Sequence, residues 1–307
     1  MALRFDKNKV PHIDLGSNLQ ISLDFTEYND KQSLDKAWQE LHETSETIEV
    51  RLKELRQLLK NEKDLNIPID DDAFLIRFLR PRKFHAERAF ETIKGYYKMK
   101  ANKDFVLDNI SAKAISVALE ERVIQLYPLR DQHGRRIVYM EAGSNWNCSK
   151  VPFPEVIRAT HALLTLLSLE PRTQLNGIVF IVNFDRLSFS HLGQFKPKFM
   201  NNVLDYGQRY APMRIKSINI INNTTLFNIL FQVCKPFLGQ KWGQRIHFHG
   251  SSIEALHNQI EPHCLPAKLG GCMDLIDYEG RVLVEFLEQF QDKFDELNCY
   301  GYRQKDK

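Results

Sequence analysis

MRIKSINIINNTTLFNILFQVCKPFLGQKWGQRIHFHG, Met213 to Gly250, is the stretch whose reading decides the fold. It opens on a strand pattern, Arg214 to Ile221, and Asn222, Asn223 and Thr224 then offer caps for a helix. In that helix Leu226, Phe227, Leu230, Phe231, Cys234, Phe237 and Leu238 recur every three to four residues and form one apolar face. A short strand, Arg245 to His249, ends at Gly250. Basic residues bracket the face. Arg214 and Lys216 stand two apart on a strand and so point to one side. Lys241 and Arg245 stand four apart and share a face wherever helix persists. Two pairs of cations hold a multiply charged phosphate better than one cation does. On composition alone, the favoured reading is an ordinary core helix with solvated basic ends.

Upstream of this stretch, strands and helices alternate. Gly177 to Phe184, GIVFIVNF, is nearly unbroken apolar, as befits a strand inside a parallel sheet covered on both faces. Pro154 opens a helix through Ile157, Leu163, Leu164 and Leu167, and Ser190 to Arg209 reads as another. Val123 to Leu129 and Arg136 to Glu141 read as strands joined by a turn at Asp131-Gln132-His133-Gly134. This alternation is the pattern of an α/β fold.

The N-terminal third is helical. Asp30 to Glu62 carries Ala37, Leu41, Ile48, Leu52, Leu55, Leu58 and Leu59 on one side, with a break expected near Thr44-Ser45. Asp70-Asp71-Asp72 starts a helix that Pro81 stops, and His85 to Lys100 follows with Ala89, Ile93, Tyr96 and Tyr97 inward. Arg77, Arg80, Arg82 and Lys83 could bind phosphate. The favoured reading pairs them with acidic neighbours. Residues 1–29 show no sustained periodicity and read as an extended arm. At the other end, Ser251-Ser252 caps a helix through Gln259, and Arg281 to Leu297 is a last amphipathic helix.

The chain has 307 residues, of which 43% are hydrophobic and 26% charged, the composition of a globular protein of one large or two modest domains. A net charge of +3 is too mild to argue for nucleic acid. MALRFDKNK has no apolar run behind it, and Ala162 to Leu169 is too short to span a bilayer. The 5 cysteines are an odd, scattered set that fits a reducing, cytoplasmic setting.

Catalytic signatures are missing: there is no G-x-S-x-G elbow, P-loop, G-x-G-x-x-G after a strand or H-E-x-x-H. The reading is therefore a protein that is not an enzyme, with no cofactor and no metal. His247, His249, His257, His263 and Cys264 cluster in sequence but match no standard zinc spacing. An apolar constellation remains. Ile178, Phe180, Val182 and Phe184 share one side of their strand. Facing helices add Ile157, Thr160, His161, Leu164, Phe195, Phe199 and Val203, and the helix after Thr224 adds Phe227, Leu230, Phe231 and Val233. From the residues alone, a filled core is favoured over a cavity.

NIINN (219–223), KPFL (235–238) and RIHFHG (245–250) resemble the lid and gate segment of the CRAL-TRIO lipid-binding family, most closely its tocopherol- and retinaldehyde-binding members. DDAFLIRFLRPRKF (71–84), NGIVFIVNFD (176–185) and FSH (189–191) match in the same order, so the resemblance runs from about Asp70 to about Gly271. It implies an α/β CRAL-TRIO lipid-binding fold: a mostly parallel sheet flanked by helices, with a mobile lid helix, behind a small all-helical N-terminal domain. The divisions expected are an arm at 1–29, the helical domain at 30–103, the lipid-binding domain at 104–280, and a C-terminal helix and tail at 281–307. The resemblance turns the apolar constellation into a ligand pocket and adds Leu187 and Met213 to it. It makes Arg214, Lys216, Lys241 and Arg245 the phosphoinositide-binding residues. Thr160 and Leu164 stand where relatives carry serines, and Arg186-Leu187 stands where tocopherol-binding members carry glycine and tryptophan. The pocket is therefore reshaped.

The implied function is binding and intermembrane transfer of a tocopherol-like or retinoid-like lipid, released at phosphoinositide-containing membranes. The alternative is a phosphoinositide-responsive adaptor without apolar cargo. The expected partners are the hydrophobic small molecule and, peripherally, a phosphoinositide-containing membrane surface, with no nucleic acid. The protein is read as a cytoplasmic monomer.

Overall fold

The computed structural model describes residues 1–143, 146–275 and 278–303. Its first residues are not an arm. β1 (Ala2–Phe5), β2 (Pro11–Gly16) and β3 (Leu19–Ser22) form an antiparallel three-stranded meander. Ile13, Leu15 and Ile21 are buried on its inner side. The strands are too short for periodicity to announce them. Their turn takes three consecutive residues, Gly16, Ser17 and Asn18, at positive φ.

The helices that follow keep their expected places. α1 (Lys31–Leu41) and α2 (Ser45–Leu59) break where predicted, with Thr44 accepting a hydrogen bond from the Thr47 amide as N-cap. After β4 (Leu65–Asn66), α3 (Asp72–Leu79) is capped by Asp71, and α4 (Ala86–Lys100) buries Ala89, Ile93, Tyr96 and Tyr97. A short α5 (Ser116–Glu120) leads into the central sheet.

That sheet runs β5-β6-β7-β8-β9. β5 (Ile124–Arg130) is an antiparallel edge on β6 (Arg136–Glu141). β7 (Ile178–Asn183), β8 (Ile215–Ile221) and β9 (Ile246–Phe248) continue from β6 in parallel. Between β6 and β7 the chain forms α6 (Phe153–Leu167) and α7 (Pro171–Asn176). Gly177 then takes φ +84, and a Cβ there would lie 2.3 Å from the Arg214 carbonyl oxygen, so this junction needs glycine.

The single helix expected over 190–209 is three pieces. α8 (Phe189–Leu192) ends at Gly193, Pro197 opens α9 (Pro197–Asp205), and a π-turn, Tyr206–Tyr210, closes the run. Proline has no N–H to continue the first helix but suits the first turn of the second. Beyond β8 lie α10 (Thr225–Cys234) and α11 (Gln240–Gly243). Helix does not persist to Arg245. It stops at Gly243, and the Arg245 carbonyl accepts from the Ile218 amide as the chain joins the sheet.

α12 (Ile253–His257) is capped by Ser252. The last amphipathic helix is also divided, into α13 (Gly280–Glu288) and α14 (Gln291–Asn298). β10 (Gly301–Tyr302) then pairs with β4. The tail positions 304–307 lie outside the described residues. The main buried cluster includes Ile13, Phe78, Leu163, Phe180 and Phe294, so the meander, the helical region and the C-terminal helices share it with one face of the sheet. The sheet's other face packs Ile137, Tyr139, Val179 and Ile181 against Leu256, Ile260 and Leu265.

Candidate functional site: a covered cavity beside a basic cleft

α6, α9, α10 and the inner face of β6–β8 leave a cavity of about 260 Å³ between them. Its wall carries Ile157, Leu164, Phe180, Val182, Phe195, Val203, Phe227, Leu230 and Phe231. α10 closes it. Phe227 and Leu230 are buried and join Phe184, Leu187 and Ile220 in a small cluster of their own, separate from the main core. The cover therefore packs chiefly on the cavity rim, with Cys234 touching the main core as well.

Few polar groups reach this wall, and Thr160, His161 and Glu141 among them are already bonded. The Thr160 hydroxyl donates to the Val156 carbonyl at 2.7 Å. His161 Nδ1 lies 2.9 Å from the Tyr206 hydroxyl. Burial, reinforced by the charge of Lys100, pushes the His161 pKa down to about 3, so the ring is neutral at physiological pH. Glu141 borders the cavity at the end of β6, but its carboxylate turns to the opposite face. There it accepts from the Tyr139 hydroxyl at 2.6 Å and the Asn183 amide at 3.2 Å.

The two ends of the cover are held differently. At its start Thr224 is the N-cap residue but makes no side-chain cap bond. Asn222, at φ +53, donates to Asn183 Oδ1 at 2.8 Å, and Asn223 Oδ1 accepts from the Gly250 amide. At its other end Gln208, on the π-turn, grips the segment between α10 and α11. Its Nε2 donates to the Phe237 carbonyl at 2.9 Å, and its Oε1 accepts from the Gly239 amide at 2.8 Å.

Gln208, Phe237 and Gly239 also form part of a second concavity, a cleft lined by Arg82, Lys83, Arg209, Arg214, Lys216, Lys241 and Arg245. No carboxylate lines it among the described residues. Arg82 donates to the Arg209 carbonyl and to Thr92, Arg209 pairs with Asp205, and Arg245 donates to the Ile215 carbonyl. Crowding shows in the ionisation. Repulsion from Arg245, then partial burial, lowers the Lys241 pKa. Burial, then Arg214, lowers that of Lys216 to about 8 despite the nearby Glu40.

Residues 120–271, which form this sheet, cavity and cover, match the model of the CRAL/TRIO domain. The chain belongs to the CRAL/TRIO family. Clavesin-1 of Xenopus laevis is 29% identical over 248 residues, covering 80% of this chain and 74% of that protein. Clavesin-2 of Homo sapiens is 29% identical over 276 residues, covering 88% of this chain and 83% of the relative. Among solved structures, that of Sfh5 aligns with a TM-score of 0.53 at 11% identity, covering 88% of this chain and 100% of that one, a likeness of fold alone.

Within the CRAL/TRIO domain, most of the residues expected around the ligand line one cavity, and five do not. Ile178 shares the face of Phe180 but lies at the sheet's far end, pairing with Ile215 inside the main core. Leu187 packs under α10 in the rim cluster. Phe199 turns to Phe105, with ring centroids 5.4 Å apart, and to Phe153. Met213 lines the basic cleft. Val233 falls four residues from Ile229, on the face of α10 that leaves Ile229 53% exposed.

The residues missed are instructive. Met140 on β6 follows from strand alternation, as do Ile218 and Ile220 on β8 and Ile246 on β9. Trp146, Tyr206, Gly207 and Trp242 lie on loops, turns or short helices whose placement no periodicity reveals.

The four basic positions do share the cleft, and Arg82 and Lys83 join them. Pairing with acidic neighbours, expected for the upstream cations, holds for Arg80. It binds Glu27 and Glu43 and also donates to Gln174 at 2.7 Å. It does not hold for Arg82 and Lys83, which have no acidic partner among the described residues. Arg77 packs on the rings of Phe74 and Phe78. His249 Nε2 meets Asn219 Oδ1 at 3.1 Å in a polar strip of the sheet.

Proposed function

We propose that this CRAL/TRIO protein is a cytoplasmic, monomeric carrier and not an enzyme. It holds a hydrophobic small molecule, tocopherol-like or retinoid-like, beneath α10. It delivers that molecule to membranes whose phosphoinositides engage the basic cleft. The observation that carries the reading is the apolar cavity under a cover helix with its own small packing cluster. Burying a C15 to C20 chain contributes on the order of 10 kcal/mol gross, at about 0.8 kcal/mol per CH₂, before the costs of binding.

The surroundings of the cover support membrane docking. Ile229 points outward from α10, and α8, which packs against it, leaves Phe189 77% exposed. No helix of the described residues is long and apolar enough to cross a membrane, so the contact proposed is peripheral.

Native mass spectrometry of the protein purified from its source tests the reading. One apolar ligand per chain is the expected result. Protein that carries none, yet is recruited to phosphoinositide vesicles, would instead be an adaptor. In a vesicle transfer assay, Lys216→Ala with Lys241→Ala should slow delivery more than removal of two distant lysines, Lys53 and Lys60. Equal losses would remove the cleft from the account.

A further inference from the structure

The basic cleft is already served by an anion from the chain itself. Glu40 projects from the last turn of α1, outside the residues that line the cleft. Arg214 Nη2 donates to Glu40 Oε2 at 2.5 Å, and Lys216 Nζ donates to the same oxygen at 3.0 Å. One oxygen therefore draws the tips of two long cationic side chains toward α1. Burial raises the Glu40 pKa, but the two donors outweigh it and hold the group at about 2, so the carboxylate is charged at any physiological pH. The placement is costly to the helix. A carboxylate in the last turn opposes the helix dipole, and α1 has no basic residue there. Local rules broken in this way are commonest where function requires it.

We propose that Glu40 is an internal counter-anion that sets the charge threshold of the cleft. A multiply phosphorylated inositol group offers enough oxygens to take Arg214 and Lys216 from Glu40, while a singly charged lipid does not. The inference rests on the reading of the cleft given above. Its physical basis is competition. A single phosphate gains contacts at Lys83 and Lys241 but leaves the Glu40 pairs intact. A second phosphate placed deeper forms charge-assisted bonds with Arg214 and Lys216, and these repay the lost carboxylate. Arg214 and Lys216 are largely buried in these pairs, at 10% and 22% side-chain exposure, so the exchange favours only an anion that satisfies both cations at once.

The test uses the full-length protein and three probes: vesicles containing phosphatidylinositol bisphosphate, vesicles of phosphatidylserine matched in charge, and soluble inositol trisphosphate. Glu40→Gln, which keeps the side chain's shape, should bind the bisphosphate vesicles roughly tenfold more tightly. That is the order expected for one unit charge removed at about 6 Å in a medium of effective dielectric about 40. It should also bind phosphatidylserine vesicles that the wild type ignores. Glu40→Ala should do the same, and serves if the glutamine variant folds poorly. Asp35→Asn, an exposed charge on the same helix, controls for net charge. Competition by inositol trisphosphate reports whether the free phosphate is taken as well as the lipid-borne one. Gains equal to those of Asp35→Asn, with wild type binding normally, overturn the role of Glu40 alone. No binding of any variant to bisphosphate vesicles overturns the cleft reading, and the counter-anion with it.

Discussion

Val182 illustrates how much one side chain decides. It lies on β7 with its side chain toward the cavity, half-buried, between Phe180 and Phe184 in strand alternation. Val182→Trp fills cavity volume and should cut apolar ligand loading to less than about half, at a folding cost of about 1–3 kcal/mol or less because the new ring enters open space. Native mass spectrometry reads the loading and thermal melting the fold. Full loading would exclude the cavity as the ligand site. Lys216 supplies a pH signature. Its pKa is lowered to about 8, chiefly by burial. The folded protein therefore carries this cation below that value and loses it as pH rises through it. Binding of bisphosphate vesicles should weaken by about tenfold or more between about pH 7 and pH 9, the worth of one hydrogen bond to a charged group. Lys216→Arg stays charged and should flatten the profile. A profile unchanged by that replacement would take Lys216 out of the contact.

At the scale of elements, the proposed function requires α10 to move. Its N-cap threonine makes no cap bond, an omission worth about 1 kcal/mol. Its Phe227 and Leu230 belong to a small cluster of their own, while Cys234 reaches the main core. The stronger restraint is Gln208, whose amide bonds both Phe237 and Gly239 in the segment that joins α10 to α11. Gln208→Leu removes two bonds of about 1 kcal/mol each, so the open population should rise roughly 30-fold. Hydrogen exchange in Thr225–Cys234 should accelerate accordingly, with faster ligand release. Exchange at the wild-type rate would mean that the cover is held elsewhere.

For the whole molecule, the N-terminal meander is structural and not an appendage. Ile13, Leu15 and Ile21 belong to the main buried cluster. The Ser22 carbonyl accepts from Arg136 at 2.6 Å, and the Asp24 amide donates to Glu170, which itself holds Arg136. Burial raises the Glu170 pKa, but Arg136 and Arg130 outweigh it and keep the carboxyl below its ordinary range. Deleting residues 1–24 should therefore lower the melting midpoint of the whole chain by several degrees, in one transition. A truncated protein that melts like the full chain would return those residues to the status of an arm. Two separate transitions in the full chain would support the division at 103 that helix content alone suggests.

The strands of the central sheet, the helical N-terminal region and the amphipathic cover could be read in the sequence because each rests on periodicity within one segment. GIVFIVNF reads as a strand covered on both sides, and the spacing of Phe227, Leu230 and Phe231 places them on one helix face. Arg214, Lys216, Lys241 and Arg245 were legible as cations, but the pairing of Arg214 and Lys216 with Glu40 was not. That contact joins residues 174 and 176 positions apart, and no local pattern encodes such a distance. The same limit hid Tyr206, Trp146 and Trp242 in the cavity wall, the outward turn of Val233, and the meander whose strands are only four to six residues long. Local spacing determines which face of an element is apolar. Only the packing of elements against one another decides whether that face meets a partner or encloses a space, because a filled core and a cavity present the same residues to the chain.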